Sequence, residues 1–418
     1  MKRIYRRMLY FVVVVVLILV VWHQGSFKND KYKKYYPNIN FSSIITPHEL
    51  FETSIVESKR ESKVILLFTT HFYSKVWKGL DVLNGYTQRQ KCKVKECVIT
   101  YDKNAIKKAD LVVFHGVDFT YKNFTSKHFQ AISKLRPVNQ RWVFWMHETP
   151  LYYPLLDDYD NLFNWTMTFS QHSDIYHPYF SYARLTNADR ENMPENDFNY
   201  ASYKQKKVVW MVSHCGMTRA NYVAELQKYT DITVYGLCGA DFDKMGGICS
   251  YNEKECELEL RQYKFYLSFE NSFCEDYVTE KYFKYGLQYG LLPIVMGAKY
   301  DDMNSISGSY IDVSKFSSIK ELGDYINYLD SDDSAYNKYF EWKKHFKVTD
   351  GIDKICMLCH ALHRKDQHEK TYKQFHSFWS VQNLCNPFEK VRNSLEQQIA
   401  LSKLENKKIT KSKNIDKN

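Results

Sequence analysis

Residues Tyr263 to Gly297 read YKFYLSFENSFCEDYVTEKYFKYGLQYGLLPIVMG, and this stretch decides the fold. Phe265 to Phe269 is an apolar, aromatic run of the length of a buried strand. A polar loop, Glu270 to Tyr277, follows it. From Thr279 the residues Tyr282, Phe283, Gly286, Leu287 and Tyr289 recur at helical spacing, with Thr279 as N-cap and Gly290 as the stop. Leu291 to Met296 reads as a second strand. Strand, loop, helix, strand is one parallel β-α-β unit, and such sheets bind ligands in the crevice beyond the carboxyl ends of their strands. A helix starting at Thr279 would aim its positive dipole end and free N–H groups at that crevice, and Lys281 adds a full charge, a combination suited to phosphate. Glu280 beside it can accept hydrogen bonds from sugar hydroxyls. The competing reading is that both are first-turn charges in solvent.

Working outward, Val64 to Phe68, Leu111 to Phe114, Trp142 to Met146 and Trp165 to Phe169 are further buried-strand runs, spaced by polar segments as in an open parallel sheet. The most charge-rich break in the body, within 186–206, reads as an interdomain linker. Val208 to Val212 opens a second α/β unit, and Arg219 starts a helical segment just after that strand, where a cation is well placed to meet a diphosphate. Ser309 to Val313 reads as a strand, and Ser317 to Asp330 and Tyr336 to Phe346 as closing amphipathic helices.

The net charge of +10 is concentrated at the ends. Residues 1–34 hold eight Lys or Arg against one Asp, and residues 401–418 six Lys against two acids, so +7 and +4 leave about −1 for the body. A nucleic-acid groove needs a basic face on the body, so that class is set aside. Lys2, Arg3, Arg6 and Arg7 precede an uncharged apolar run from Met8 to Trp22, the pattern of an uncleaved signal-anchor with its basic end cytoplasmic. Its short length suits the thinner membranes of the early secretory route. Ten cysteines then default to disulfides, with bridging expected inside the Cys238, Cys249 and Cys256 loop, and sequons at Asn40, Asn123 and Asn164 agree with a lumenal body. Cys356-Met-Leu-Cys-His-Ala-Leu-His363 has the look of a zinc site, but its histidines are too close in sequence, and an oxidising lumen favours disulfides. Asp158-Tyr159-Asp160 and Asp241-Phe242-Asp243 match a D-x-D pattern and read as surface loops, so no metal site is assigned.

FENSFCEDYVTEK, with Gly290, Pro293 and Gly297 downstream, resembles the donor-site signature of the α1,3/4-fucosyltransferases, inverting enzymes that use GDP-fucose, and the likeness extends more loosely from about residue 62 to Cys359. It implies two facing Rossmann-like domains of the GT-B type behind an N-terminal transmembrane helix and stem. The expected organisation is a cytoplasmic tail 1–7, an anchor 8–22, a stem 23–61, an acceptor domain 62–190, a linker 191–206, a GDP-fucose-binding domain 207–365 and a partly disordered extension 366–418. By the same resemblance Arg219 and Lys281 meet the donor diphosphate, and Asn271, Tyr277 and Glu280 hold its fucose and ribose end. Cys92 and Cys97 match the positions that the family ties to the terminal pair Cys356 and Cys359.

An inverting transfer needs a base that strips the acceptor hydroxyl as it attacks the anomeric carbon. The family places the Glu of an E-S/T-P sequence there, which in this chain is Glu148 of His147-Glu148-Thr149-Pro150. Set at a strand end against Trp142 and Trp145, this carboxylate would have a raised pKa. His147 is the fallback base, and the competing reading of Glu148 is a cap on the turn that Pro150 starts. Ser173-Asp174-Ile175 with Pro178-Tyr179 resembles a further family element, although Phe180 stands where the family has Gly, and Tyr285-Gly286 stands where it has Asn-Ala. The resemblance further implies a single-pass type II protein of the Golgi membrane acting on the 3-hydroxyl of GlcNAc in glycan acceptors, with no obligatory cofactor and a divalent cation at most stimulatory. Two other readings stay open: a two-domain transferase of another nucleotide sugar, and a non-catalytic, membrane-anchored glycan-binding protein of this fold.

Overall fold

The computed structural model describes residues 32–415 except 54–60, 75–76, 78–85, 89–91, 122–124, 156–157, 194–197, 217, 243, 248–252, 298, 350–352 and 365–369. Two parallel sheets form the body. The first contains β1 (Lys63–Leu67), β2 (Tyr86–Gln88), β3 (Cys97–Thr100), β4 (Leu111–His115), β5 (Arg141–Met146), β6 (Trp165–Thr168) and β7 (Ile175–Tyr176) in the order β2-β3-β1-β4-β5-β6-β7. Only the edge strand β2 runs antiparallel. After β7 the chain leaves this sheet through β8 (Ser181–Arg184).

The second sheet contains β9 (Lys206–Met211), β10 (Ile232–Tyr235), β11 (Met245–Gly247), β12 (Tyr263–Phe269), β13 (Leu292–Met296) and β14 (Ile311–Asp312), ordered β11-β10-β9-β12-β13-β14 with every pair parallel. Counted within that unit the order is 3-2-1-4-5-6, the dinucleotide-binding arrangement, whose crevice lies where the order reverses between β9 and β12. Parallel strands covered on both faces must be apolar throughout. Accordingly every residue of β12 and β13 is buried.

The β-α-β unit reads nearly as expected. β12 pairs with β13 from Phe265↔Leu292 to Phe269↔Met296. The intervening helix is Lys281–Gln288, wound as a π-helix, and its N-cap falls on Glu280 rather than Thr279. A Cβ on Gly286 would lie 2.6 Å from Pro293 Cγ. Gly286 is therefore what lets this helix approach β13, and with it the departure at Tyr285-Gly286 acquires a packing reason. Gly290, at φ +73°, then turns the chain back into the strand. Gly286→Ala is expected to cost about 1–3 kcal/mol of stability by overpacking; a thermal melt within a degree of the parent would contradict it.

The chain's ends depart from expectation. Within the expected stem, Tyr32, Tyr35 and Tyr36 pack onto the second core, and Tyr35 Oη donates to Glu321 at 2.6 Å. Aromatic side chains gain more from burial there than from hydration, so this part of the stem is not a free tether. The region beyond 350 crosses back. The helix Lys354–His363 and the segment carrying Phe375, Trp379 and Leu384 pack on the two faces of the first sheet, and the helix Glu389–Ile415 returns to the second core through Leu395 and Ile399. The described part of 354–415 therefore packs against both sheets rather than belonging to one of them. A further seam is the antiparallel pairing of β8 with β15 (Phe346–Thr349). Tyr336 to Phe346, expected as one helix, is a short α-helix Asp333–Asn337 followed by a 3₁₀ helix Lys338–Lys344.

Cys92–Cys356 and Cys97–Cys359 are bonded, as the resemblance implied. Both Cys of the CMLCHALH helix are thus spent, and the Cys97, Cys359 and His363 grouping offers no pair of thiolates. Cys238 bonds to Cys215 rather than within its own loop, and Cys274 bonds to Cys385. Of the three sequons, Asn164, which lies in an apolar run, is buried. It is 5% exposed, and its side chain accepts from the Trp142 amide at 2.8 Å and donates to the Lys370 carbonyl at 2.8 Å. Asn40 is exposed, Asn123 lies outside the described residues, and Asp160 accepts from the Phe375 amide at 2.6 Å. The expected anchor 8–22 also lies outside the described residues, among which no helix is long and apolar enough to cross a membrane.

Candidate functional site

The carboxyl ends of β5 and β12 face one another. Past β5 come Glu148 and Thr149; past β12 comes the loop Glu270 to Tyr277. Two contacts span the gap: Thr149 Oγ1 lies 3.0 Å from Ser272 Oγ, and Tyr277 Oη donates to Glu148 Oε2 at 3.3 Å. Burial pushes the Glu148 carboxyl above its ordinary value, and Lys281 only partly opposes this. Burial also drives the Tyr277 phenol well up, which keeps it a donor. The expected cause, Trp142 and Trp145, does not hold. Trp142 packs against Phe114 and Phe129, and Trp145 against Trp77 and His71.

His147 is unsuited to the base role. Its ring stacks on His177 and Tyr179, its Nε2 donates to the His177 carbonyl at 2.9 Å, and burial pulls its pKa down to about 3. It is a neutral strut under the loop that carries Glu148, and Tyr179 Oη donates to its carbonyl at 2.6 Å. Asp174 of the Ser173-Asp174-Ile175 element is spent on the Thr166 amide and the Tyr372 hydroxyl, while Phe180 packs against Phe283.

Lys281 sits between two carboxylates, 3.2 Å from Glu270 and 3.0 Å from Glu280, with Thr279 Oγ1 at 2.9 Å. Burial alone would lower its pKa, but Glu270 and Glu280 outweigh that and raise it, so the ammonium persists at every working pH. Glu270 itself is 1% exposed and raised by burial, and it accepts from the Thr279 amide at 2.8 Å. One amide at this helix entry is therefore already occupied, and the free cradle of N–H groups expected from the sequence is reduced. The cations near this entry are the Lys281 and Arg219 side chains, and Lys281 is paired with two carboxylates.

Arg219, on the helix Thr218–Leu226, is 4% exposed and anchored by the Phe269 carbonyl at 2.9 Å and the His214 carbonyl at 3.3 Å. Its Nε and the Asn271 Oδ1 are buried without a hydrogen-bond partner. Buried polar atoms left unpaired are costly, and both residues line one cavity of about 450 Å³. A polar ligand there would satisfy them. The structure thus brings Arg219 and Asn271 to one cavity and joins Glu148, Tyr277, Glu280 and Lys281 electrostatically around the adjoining gap.

Several lining residues carry no signal in the sequence. Tyr152 and Leu151 come from beyond Pro150, and Asn386, Glu389 and Arg392 arrive from the far end of the chain. The pairing of Cys274 with Cys385 is the cue that would have placed the latter. Gln171 is another. Its amide and side chain donate to Asp276 at 2.8 and 2.9 Å, holding that residue at φ +60° next to Tyr277. Gln171→Ala is expected to lower kcat about ten-fold by letting Tyr277 and Glu148 drift out of register, with nucleotide affinity unchanged. An unaltered kcat in steady-state assay would remove Gln171 from the positioning role.

Residues 60–180 match "Fucosyltransferase, N-terminal", and residues 201–379 match "Glycosyltransferase family 10 (fucosyltransferase) C-term". Glycoprotein 3-alpha-L-fucosyltransferase A of Drosophila melanogaster is 35% identical over 349 residues, covering 81% of this chain and 64% of its own length. Alpha-(1,3)-fucosyltransferase fut-6 of Caenorhabditis elegans is 32% identical over 302 residues, covering 69% and 74%. A crystal structure of alpha1,3-fucosyltransferase with GDP-fucose aligns at 16% identity and TM-score 0.40, covering 82% of this chain and 93% of that one. Both halves of the chain match in order and across most of its length, and the chain belongs to glycosyltransferase family 10, the fucosyltransferases.

Proposed function

We propose that this protein is an inverting α1,3-fucosyltransferase of the GT-B type that moves L-fucose from GDP-fucose to the 3-hydroxyl of GlcNAc in N-glycans or related glycoconjugates. The observation that carries this reading is the hydrogen bond from Tyr277, on the second half, to Glu148, on the first, beside Lys281. The names of its relatives support the donor sugar and the linkage. Glu148 takes the proton of the acceptor hydroxyl as its oxygen attacks the anomeric carbon, and GDP departs on the opposite face. Lys281 and Arg219 meet the charge that grows on the diphosphate, and Asn271, Tyr277 and Glu280 hold the fucose and ribose. In this scheme a divalent cation is a stimulant only, which an assay with chelator checks.

Acceptor recognition falls to the first half. Phe72 and Tyr73 are 43% and 49% exposed and held at φ +47° and +66° by their amides, both of which donate to Asp118. Exposed rings fixed in a strained turn suit stacking on a sugar face. Residence as a type II protein of the Golgi membrane follows from the basic-flanked run 8–22, with support from the disulfides and the exposed Asn40. The test is to supply the full chain with GDP-fucose and a panel of GlcNAc-terminated glycans and to map the product linkage by NMR. Transfer from a different nucleotide sugar, or glycan binding with no turnover, would replace this reading with one of the two alternatives.

A further inference from the structure

The cavity that holds the unpartnered Arg219 Nε and Asn271 Oδ1 is also lined by Glu389 and Arg392, from the first turn of the helix Glu389–Ile415. This turn is not a loose end. Cys385 bonds to Cys274 of the donor loop, and the Glu275 amide donates to the Leu384 carbonyl at 2.7 Å. Further along, Leu395 and Ile399 are buried in the second core, and Ser402 donates to the buried carboxylate of Glu225 at 2.9 Å. The first half of the helix is thereby fixed with Glu389 and Arg392 at the cavity, paired Nη2 to Oε1 at 2.9 Å.

We infer that Glu389 and Arg392 read the base of the nucleotide donor and set its preference for guanine, an inference that rests on the donor reading above. Guanine's pairing edge offers two adjacent donors, the 2-amino group and N1–H, followed by the O6 acceptor. A carboxylate beside a guanidinium is its complement: Glu389 accepts the two donors and Arg392 donates to O6. Adenine presents an acceptor where the carboxylate needs a donor. Uracil presents a single donor between two acceptors. Neither satisfies both side chains, and the unmatched charge sets the discrimination.

The test compares guanosine diphosphate with inosine diphosphate, which lacks only the 2-amino group, by titration calorimetry on the full chain. The parent is expected to bind the guanosine form about ten-fold or more tightly, as a hydrogen bond to a charged group implies. Glu389→Ala should bring that ratio close to one, chiefly by weakening guanosine diphosphate. Arg392→Ala should weaken both ligands and keep the ratio, because both carry O6. Glu389 is exposed, so its replacement leaves the fold intact, which a thermal melt verifies. Guanosine diphosphate binding in Glu389→Ala with the parental ratio, or no preference in the parent, would overturn the inference. A parent that binds neither ligand but takes another nucleoside diphosphate would overturn the donor reading itself, and this inference with it.

Discussion

Glu148→Gln is expected to lower kcat by about 10²–10⁴-fold, the usual span for removing a positioned general base, while leaving GDP affinity within two-fold of the parent. The substitution keeps the side chain's shape and an oxygen for Tyr277, so the hydrogen bond that spans the two halves persists. What disappears is the capacity to take a proton. The pH profile gives a second readout. Burial raises the Glu148 pKa above the ordinary carboxylate value, so the parent's kcat/KM should climb with pH until that raised value is passed. The variant should lose this acidic limb. A variant with parental turnover, or one that keeps the limb, would mean that the base lies elsewhere.

The second large effect is at Lys281. Lys281→Met should weaken GDP binding and lower kcat by about 10²–10³-fold, since the cation meets charge that develops on the leaving group. It should also destabilise the fold, because Glu270 is buried and Lys281 is its ion-pair partner at 3.2 Å. Leaving one charge of a buried pair uncompensated costs about 3–5 kcal/mol. The direction with pH follows from linkage. Glu270 has a folded pKa raised above its unfolded one, so the native state holds its proton more tightly, and stability falls as pH climbs through that interval. Without Lys281 the raise grows, and the variant should melt higher under mildly acidic conditions than at neutral pH. Adding Glu270→Gln should restore the melting temperature and leave GDP binding weak. Recovery of GDP affinity in that double variant would show that Lys281 acts through stability alone.

Much of the site was legible because its chemistry lies in short contiguous runs. The stretch 263–297 carries a full β-α-β unit, and apolar periods and turn residues are local properties that tertiary context did not override. The Glu148 loop follows directly from a buried strand. Here the family resemblance supplied the role, and the sequence supplied the strand end. The two tryptophans are not what raises the carboxyl, since alternation along β5 sends Trp142 and Trp145 to opposite cores.

The amino-acid sequence by itself determined the most apolar strands of the two sheets, the strand ends that bear Glu148 and the Glu270 to Tyr277 loop, and the position of Arg219, because each depends on hydrophobic period within a few residues. Only the tertiary structure decided the rest. It closes the helix entry with the Glu270 carboxylate, leaves Arg219 Nε and Asn271 Oδ1 unpaired at one cavity, and carries Glu389 and Arg392 back across more than a hundred residues to line it. Those outcomes turn on which charges and disulfides meet when the chain crosses between its halves, and sequence separation holds no record of that distance.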